Sequence, residues 1–258
     1  MQHTRLISIA NELERFEASE SRAHTGTGSR REGEKFEHKV LELWDETAKY
    51  LSNEAKCTPV QVKRKRFNRI SFEDRQLYLP TSLQPQGKSN ERESWFDTSF
   101  SVAELINNFP GKDDAIKRYS PTKGPYGRTK YPNIYSGLTT RFDGTIICVD
   151  KGVLAKKILL EYKTGKASKG EKIDGNAHER LSFQIMQYLE VATRYPQCSL
   201  AVITNGAFIR YRNKYHPLFH QQADRLTNFR WFEMEYCSFA EQYMGFIEKL
   251  KKWIFEGK

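Results

Sequence analysis

Apolar residues recur every three to four positions through residues 4–20, where Leu6, Ile7, Ile9, Ala10, Leu13 and Phe16 mark one face of a predicted helix. Residues 24–31 break that rhythm with glycine, threonine and arginine and read as a flexible basic loop. From Gly33 the helical period returns, with Phe36, Val40, Leu43, Trp44 and Ala48 forming a buried stripe that runs to about Leu51. Residues 56–137 are irregular, apart from a basic strand candidate at 60–67 and a short helix near 102–107. Proline and glycine punctuate 120–132 too often for a regular element.

The pattern sharpens after residue 138. Two strands, 139–149 and 156–163, flank Asp150-Lys-Gly152, a turn signal that predicts a β-hairpin. An amphipathic helix follows at 178–195, with Phe183, Met186, Leu189 and Val191 available to the core. Strands 199–204 and 208–212 flank Asn205-Gly206 and read as a second hairpin. A strand at 229–235 and a helix at 238–255 follow. This order predicts one α/β (α+β) domain over 1–258, with a central mixed sheet flanked by helices.

Charge adds a partner. Lys and Arg number 42 against 32 Asp and Glu, a net charge of +10, which suits a polyanion because neutralised phosphates release their counterions. The cations gather in predicted loops at about 22–32, 56–70, 117–132 and 164–178. Arg30, Arg31, Arg128, Lys166, Lys169 and Arg180 are therefore candidate DNA contacts, lysine positioning phosphates and arginine able to read guanine. The four cysteines form no C-x-x-C pair, which excludes the usual zinc signatures and suits a reducing cytoplasm. No apolar run approaches the length of a membrane span. Gly28 to Gly33 has the glycine spacing of a phosphate loop, but Glu34 stands where its lysine is required, so a nucleotide cofactor is not expected.

The candidate chemistry lies in Arg141-Phe-Asp143-Gly and Glu161-Tyr-Lys163. Residues two apart on a strand share a face, so Glu161 and Lys163 project together, and the hairpin returns Asp143 alongside them. Asp143 and Glu161 share a face only if the register allows it. A three-residue loop or a bulge achieves this, whereas a simple two-residue turn does not. Two clustered carboxylates form a hard oxygen site for Mg²⁺. Between them, Lys163 is a fixed cation that positions a water and the phosphate rather than a literal base.

Phe142-Asp143 with Glu161-Tyr-Lys163 resembles the signature of the PD-(D/E)xK nucleases, with Phe142 in place of the motif's proline. The resemblance spans about residues 33–212. It implies that Glu37, at the start of the early helix, supports the metal site as a further ligand. It also implies that Gln184 and Tyr188, in a Q-x-x-x-Y pattern, orient DNA or the lysine. A chain of this size without helicase motifs looks like a bacterial type II restriction endonuclease. Such an enzyme acts as a homodimer on double-stranded DNA and leaves 5′-phosphate and 3′-hydroxyl ends. Its rivals are a repair, recombination or phage-processing exonuclease of the same fold and a non-catalytic DNA-binding protein.

Overall fold

The computed structural model describes residues 2–16, 26–62, 65–84, 94–101, 139–165, 176–208 and 233–256. Seven strands form one mixed sheet in the order β1-β2-β3-β6-β7-β8-β9. They are β1 (Val60–Gln61), β2 (Phe67–Phe72), β3 (Arg75–Pro80), β6 (Gly144–Asp150), β7 (Val153–Lys163), β8 (Cys198–Thr204) and β9 (Met234–Cys237). Two short strands, β4 (Ser99–Ser101) and β5 (Thr139–Arg141), pair beside it. Four helices lie among the described residues: α1 (Gln2–Glu14), α2 (Gly26–Glu54), α3 (Asn176–Arg194) and α4 (Ala240–Glu256). No helix among these residues is long and apolar enough to cross a membrane.

The sheet is antiparallel from β1 through β7 and parallel from β7 through β9. Helix α3 connects β7 to β8, as a parallel pair requires. Strand β7 alternates between two cores. Ile158, Leu160 and Tyr162 meet α1, α2 and α4, whereas Leu159 meets α3 beside Leu200 and Val202. The predicted stripe of α2 is buried as expected, with Phe36, Leu43 and Trp44 each 1% exposed. A third cluster, Phe67, Tyr78, Phe96, Ile147 and Val149, fills the space under β2, β3 and β6.

The hairpin at Lys151-Gly152 forms as predicted. Both residues have positive φ (49° and 76°), which two-residue hairpin turns favour. The register changes between Cys148 and Val149, because Cys148 pairs with Lys156 while Val149 pairs with Leu154. Ala155 is thus an extra residue in β7, a β-bulge.

Several expectations are corrected. Residues 26–31 are helical rather than a loop, since extending an existing helix needs no new nucleus. Residues 67–80 form a tight hairpin, β2–β3, where only irregular chain was expected. Asn205-Gly206 does not turn a hairpin: β8 ends at Thr204, Ala207 and Phe208 are helical, and β8 pairs in parallel with β9. The strand expected at 229–235 is β9, from Met234. The helix expected at 102–107 and the loop at 117–132 lie outside the described residues.

Asn205 and Gly206 instead tie three elements together. The Asn205 amide accepts from Gly165 N at 3.0 Å and donates to Gly165 O and Phe16 O, each at 2.7 Å. Gly206 N donates to Glu14 O at 2.8 Å. A Cβ on Gly206 would lie 2.7 Å from that same oxygen, whereas one on Gly33 would meet nothing within 4 Å. Gly206→Ala is therefore expected to lose roughly 1–3 kcal/mol of stability from overpacking. Gly33→Ala, inside a helix, should instead gain up to about 1 kcal/mol. Urea unfolding of the two variants checks the contrast, and equal effects would refute it.

Candidate active site

The bulge sets the chemistry of the hairpin mouth. Gly144 pairs with Leu160, and continuing that count puts position 143 opposite 161. Without the extra residue the two-residue turn would place Gly144 opposite Leu159, so the bulge moves the end of the ladder one residue toward Glu161. The ladder ends at Gly144, and Asp143 closes it. Its N–H donates to Leu160 O at 3.0 Å, and its Oδ2 accepts from Tyr162 N at 2.7 Å. Gly144 has little room for a side chain, because a Cβ there would lie 3.1 Å from the Tyr162 hydroxyl. That hydroxyl is fixed from below by Trp44 Nε1, which donates to it at 3.2 Å.

Glu161 is 2% exposed. Lys163 Nζ donates to its Oε1, while its buried Oε2 has no hydrogen-bond partner among the described residues. Burial pushes the Glu161 carboxyl up to about 7, the nearby Asp143 charge adds to the rise, and Lys163 opposes it. Asp143 keeps an open edge to solvent but is crowded by protein elsewhere. Desolvation raises its pKa against the Tyr162 N–H, Lys163 and Arg141.

Glu37 approaches from α2. Its pKa is also raised, first by desolvation and then by Asp143, with Arg66 and Arg141 opposing. The Asp143 charge therefore bears on both Glu161 and Glu37. Glu37 does not complete a ligand set, however: among the described residues no three His, Cys, Asp or Glu side chains are gathered to hold a metal ion. Glu37 stands as an exposed charge on a helix of the other layer, within electrostatic reach of Asp143.

The remaining candidates separate. Gln184 is buried on α3, with Nε2 3.5 Å from Arg141 O, so it reaches the strand that leads into Asp143. Tyr188, one turn further, is fully buried and is not brought to the acids. Its hydroxyl donates to Glu233 O at 3.0 Å and lies 3.3 Å from Cys198 O, toward the other end of β8. Arg31 is exposed on α2. Lys166, Lys169 and Arg128 lie outside the described residues, as do the side chains of Arg30 and Arg180.

Arg66 and Arg141 are the residues that sequence reasoning passed over as individuals. Both are exposed, and both act on the acid cluster electrostatically. The available signal was position: Arg141 lies two residues before Asp143, and Arg66 closes the basic run that leads into β2. No family model, curated protein or solved structure matches the chain.

The donor set fits a hard divalent cation. Mg²⁺ is commonly held by one or two carboxylates, with water and phosphate oxygens completing its shell. Two neighbouring carboxylates, one with a buried oxygen that has no partner among the described residues, offer oxygen ligands of that kind. A cation would also offset the burial and the Asp143 charge that together raise the Glu161 pKa.

The pH dependence has a definite sign. Between the ordinary glutamate range and about 7, native Glu161 holds a proton that the unfolded chain has released, so stability falls as pH rises through that window. Glu161→Gln should show a smaller drop in melting temperature between pH 5 and pH 8 than the unmutated protein. Mg²⁺ should raise the melting temperature of the unmutated protein more at pH 8 than at pH 5. Identical pH slopes in both proteins would show that Glu161 does not titrate in this way.

Proposed function

We propose that this protein is a magnesium-dependent nuclease of the PD-(D/E)xK type that cuts double-stranded DNA at a specific sequence, as type II restriction endonucleases do. The observation that carries the reading is the hairpin mouth itself. Asp143 and Glu161 come near each other there, Glu161 keeps a buried oxygen without a partner among the described residues, and Lys163 stands beside them in a chain of net charge +10. The order of Asp143, Glu161 and Lys163 along the chain adds the family resemblance.

In this reading Asp143 and Glu161 hold the Mg²⁺. When bound, the ion stabilises charge on the phosphodiester and lowers the pKa of a nearby water. Tyr162 N and Leu160 O fix the Asp143 backbone and carboxylate, so that acid does not have to be ordered when DNA arrives. The Lys163 ammonium, held by Glu161, meets the charge that develops on the phosphoryl oxygens. Arg141 and Arg66 line the approach as phosphate contacts. Gln184 steadies the strand end through Arg141 O. The resemblance supplies the product polarity, the homodimer and the bacterial cytoplasmic setting.

Unmethylated phage DNA incubated with the protein and Mg²⁺ is expected to give sharp fragments, with none in EDTA. Lys163→Ala and Asp143→Asn should each slow cutting by about 10²-fold or more, as loss of one preorganised charge does elsewhere. Progressive loss from DNA ends would assign the exonuclease alternative. DNA that is shifted in a gel but never cut would remove the catalytic roles and leave a DNA-binding protein.

A further inference from the structure

Between α4 and the sheet, toward the start of β7, lies a groove of about 580 Å³. That volume falls within the range of small-molecule sites and far exceeds the voids of a packed core. Phe246, Leu250 and Trp253, spaced to share one face of α4, form one wall. Ile158 of β7 and Cys148 of β6 lie on the floor. Burial pushes the Cys148 thiol up to about 12, against the nearby Lys156 charge, so the sulfur stays protonated at neutral pH. Ile158 faces the layer of α1, α2 and α4, whereas strand alternation turns Glu161 to the other side. The groove and the acid pair therefore occupy opposite faces of the sheet.

Ser199 is the polar group of that floor. It pairs in register with Ile158 and shares its face, while its neighbours Cys198 and Leu200 enter the core against α3. It is 5% exposed, and its hydroxyl has no hydrogen-bond partner among the described residues. A buried hydroxyl left without a partner costs free energy that a bound group would recover. The charges at the mouth, by contrast, are matched. Lys156 pairs with Glu233, just before β9, and Lys249 of α4 pairs with Glu235 of β9.

The lining dictates what fits. A charged ligand would have to break one of those ion pairs or lose water without a counter-charge, whereas a neutral one meets neither cost. Two aromatic side chains in one wall favour a flat ring in the slot between helix and sheet. The Ser199 hydroxyl, both donor and acceptor, asks for one polar group on that ring. We propose that this groove binds a neutral aromatic small molecule that carries one hydroxyl or carbonyl group. Its ring lies against Phe246 and Trp253, and its polar group bonds to Ser199. The site does not depend on the nuclease reading.

The test uses the full protein and three probes of one shape, 2-naphthol, naphthalene and 2-naphthoate, measured by equilibrium dialysis at neutral pH. 2-Naphthol is expected to saturate with a Kd below about 1 mM. Naphthalene, which lacks the hydroxyl, and 2-naphthoate, which is charged, should each bind at least about fivefold more weakly. Ser199→Ala should bring 2-naphthol down to the affinity of naphthalene and leave naphthalene itself unchanged. A general loosening of the fold would weaken both alike. Trp253→Ala should weaken 2-naphthol at least about tenfold by removing part of the wall. Circular dichroism and thermal melting establish that the variants are folded, and the ranking of the three probes on the unmutated protein stands without them. The proposal is overturned if 2-naphthol does not saturate, if naphthalene binds as tightly, or if 2-naphthoate binds most tightly of the three. It is equally overturned if folded Ser199→Ala keeps the preference for the hydroxyl or folded Trp253→Ala binds normally.

Discussion

One surplus residue, Ala155, governs where the acids of the β6–β7 hairpin stand. A strand has a side-chain period of two, so a one-residue change in register exchanges its faces. The Lys151-Gly152 turn alone would align Asp143 with Leu160. The bulge shifts the count by one, pairs Gly144 with Leu160 and so brings Asp143, just past the end of the ladder, toward Glu161. Asp143 then finds the Tyr162 N–H, beside the Glu161–Lys163 pair that β7 forms by itself. Sequence-distant layers hold that register in place: Ile158, Leu160 and Tyr162 are gripped by three helices, Leu159 by a fourth. A slip would move apolar side chains into the wrong core, so the fold's packing protects an electrostatic arrangement that is itself unfavourable.

That arrangement lies where the parallel strands finish. Ligands of open α/β sheets gather beyond the carboxyl ends of their strands, because the loops there are free to vary. Strand β7 ends at Lys163 and β8 at Thr204, and Asn205 binds the chain leaving both. A buried carboxylate with an unpaired oxygen opposes folding. Its persistence beside a second acid is the kind of local conflict that marks functional sites, where other parts of the structure carry the cost.

Much of this was legible in the sequence, for identifiable reasons. Helix α2 announced itself through five apolar residues at helical spacing, all buried. The β6–β7 hairpin showed a Lys-Gly turn between apolar runs, and the acid-lysine set follows from strand alternation once a bulge is allowed. The β2–β3 hairpin was hidden because Glu73 and Asp74 make its turn without glycine, Glu73 taking φ 51°. Asn205-Gly206 misled because its local turn chemistry is used over long range, by bonds to Phe16, Gly165 and Glu14. Tyr188 was assigned by spacing from Gln184, yet one helical turn carries it from the strand end into the core. Lone-pair satisfaction at Glu161 depends on three-dimensional neighbours and has no local signal.

The same long-range tie bears on how the protein comes into being. Glu14 Oε2 accepts from Ala240 N at 3.0 Å, and residues of α1 share a core with Tyr243, Phe246 and Ile254 of α4. Contacts so far apart close late, since the intervening chain must be made and ordered first. During synthesis α1, α2 and β7 leave the ribosome well before α4 can seal them. The layer behind the acid pair is therefore incomplete until α4 has emerged and docked, and only then does the hairpin gain its full support.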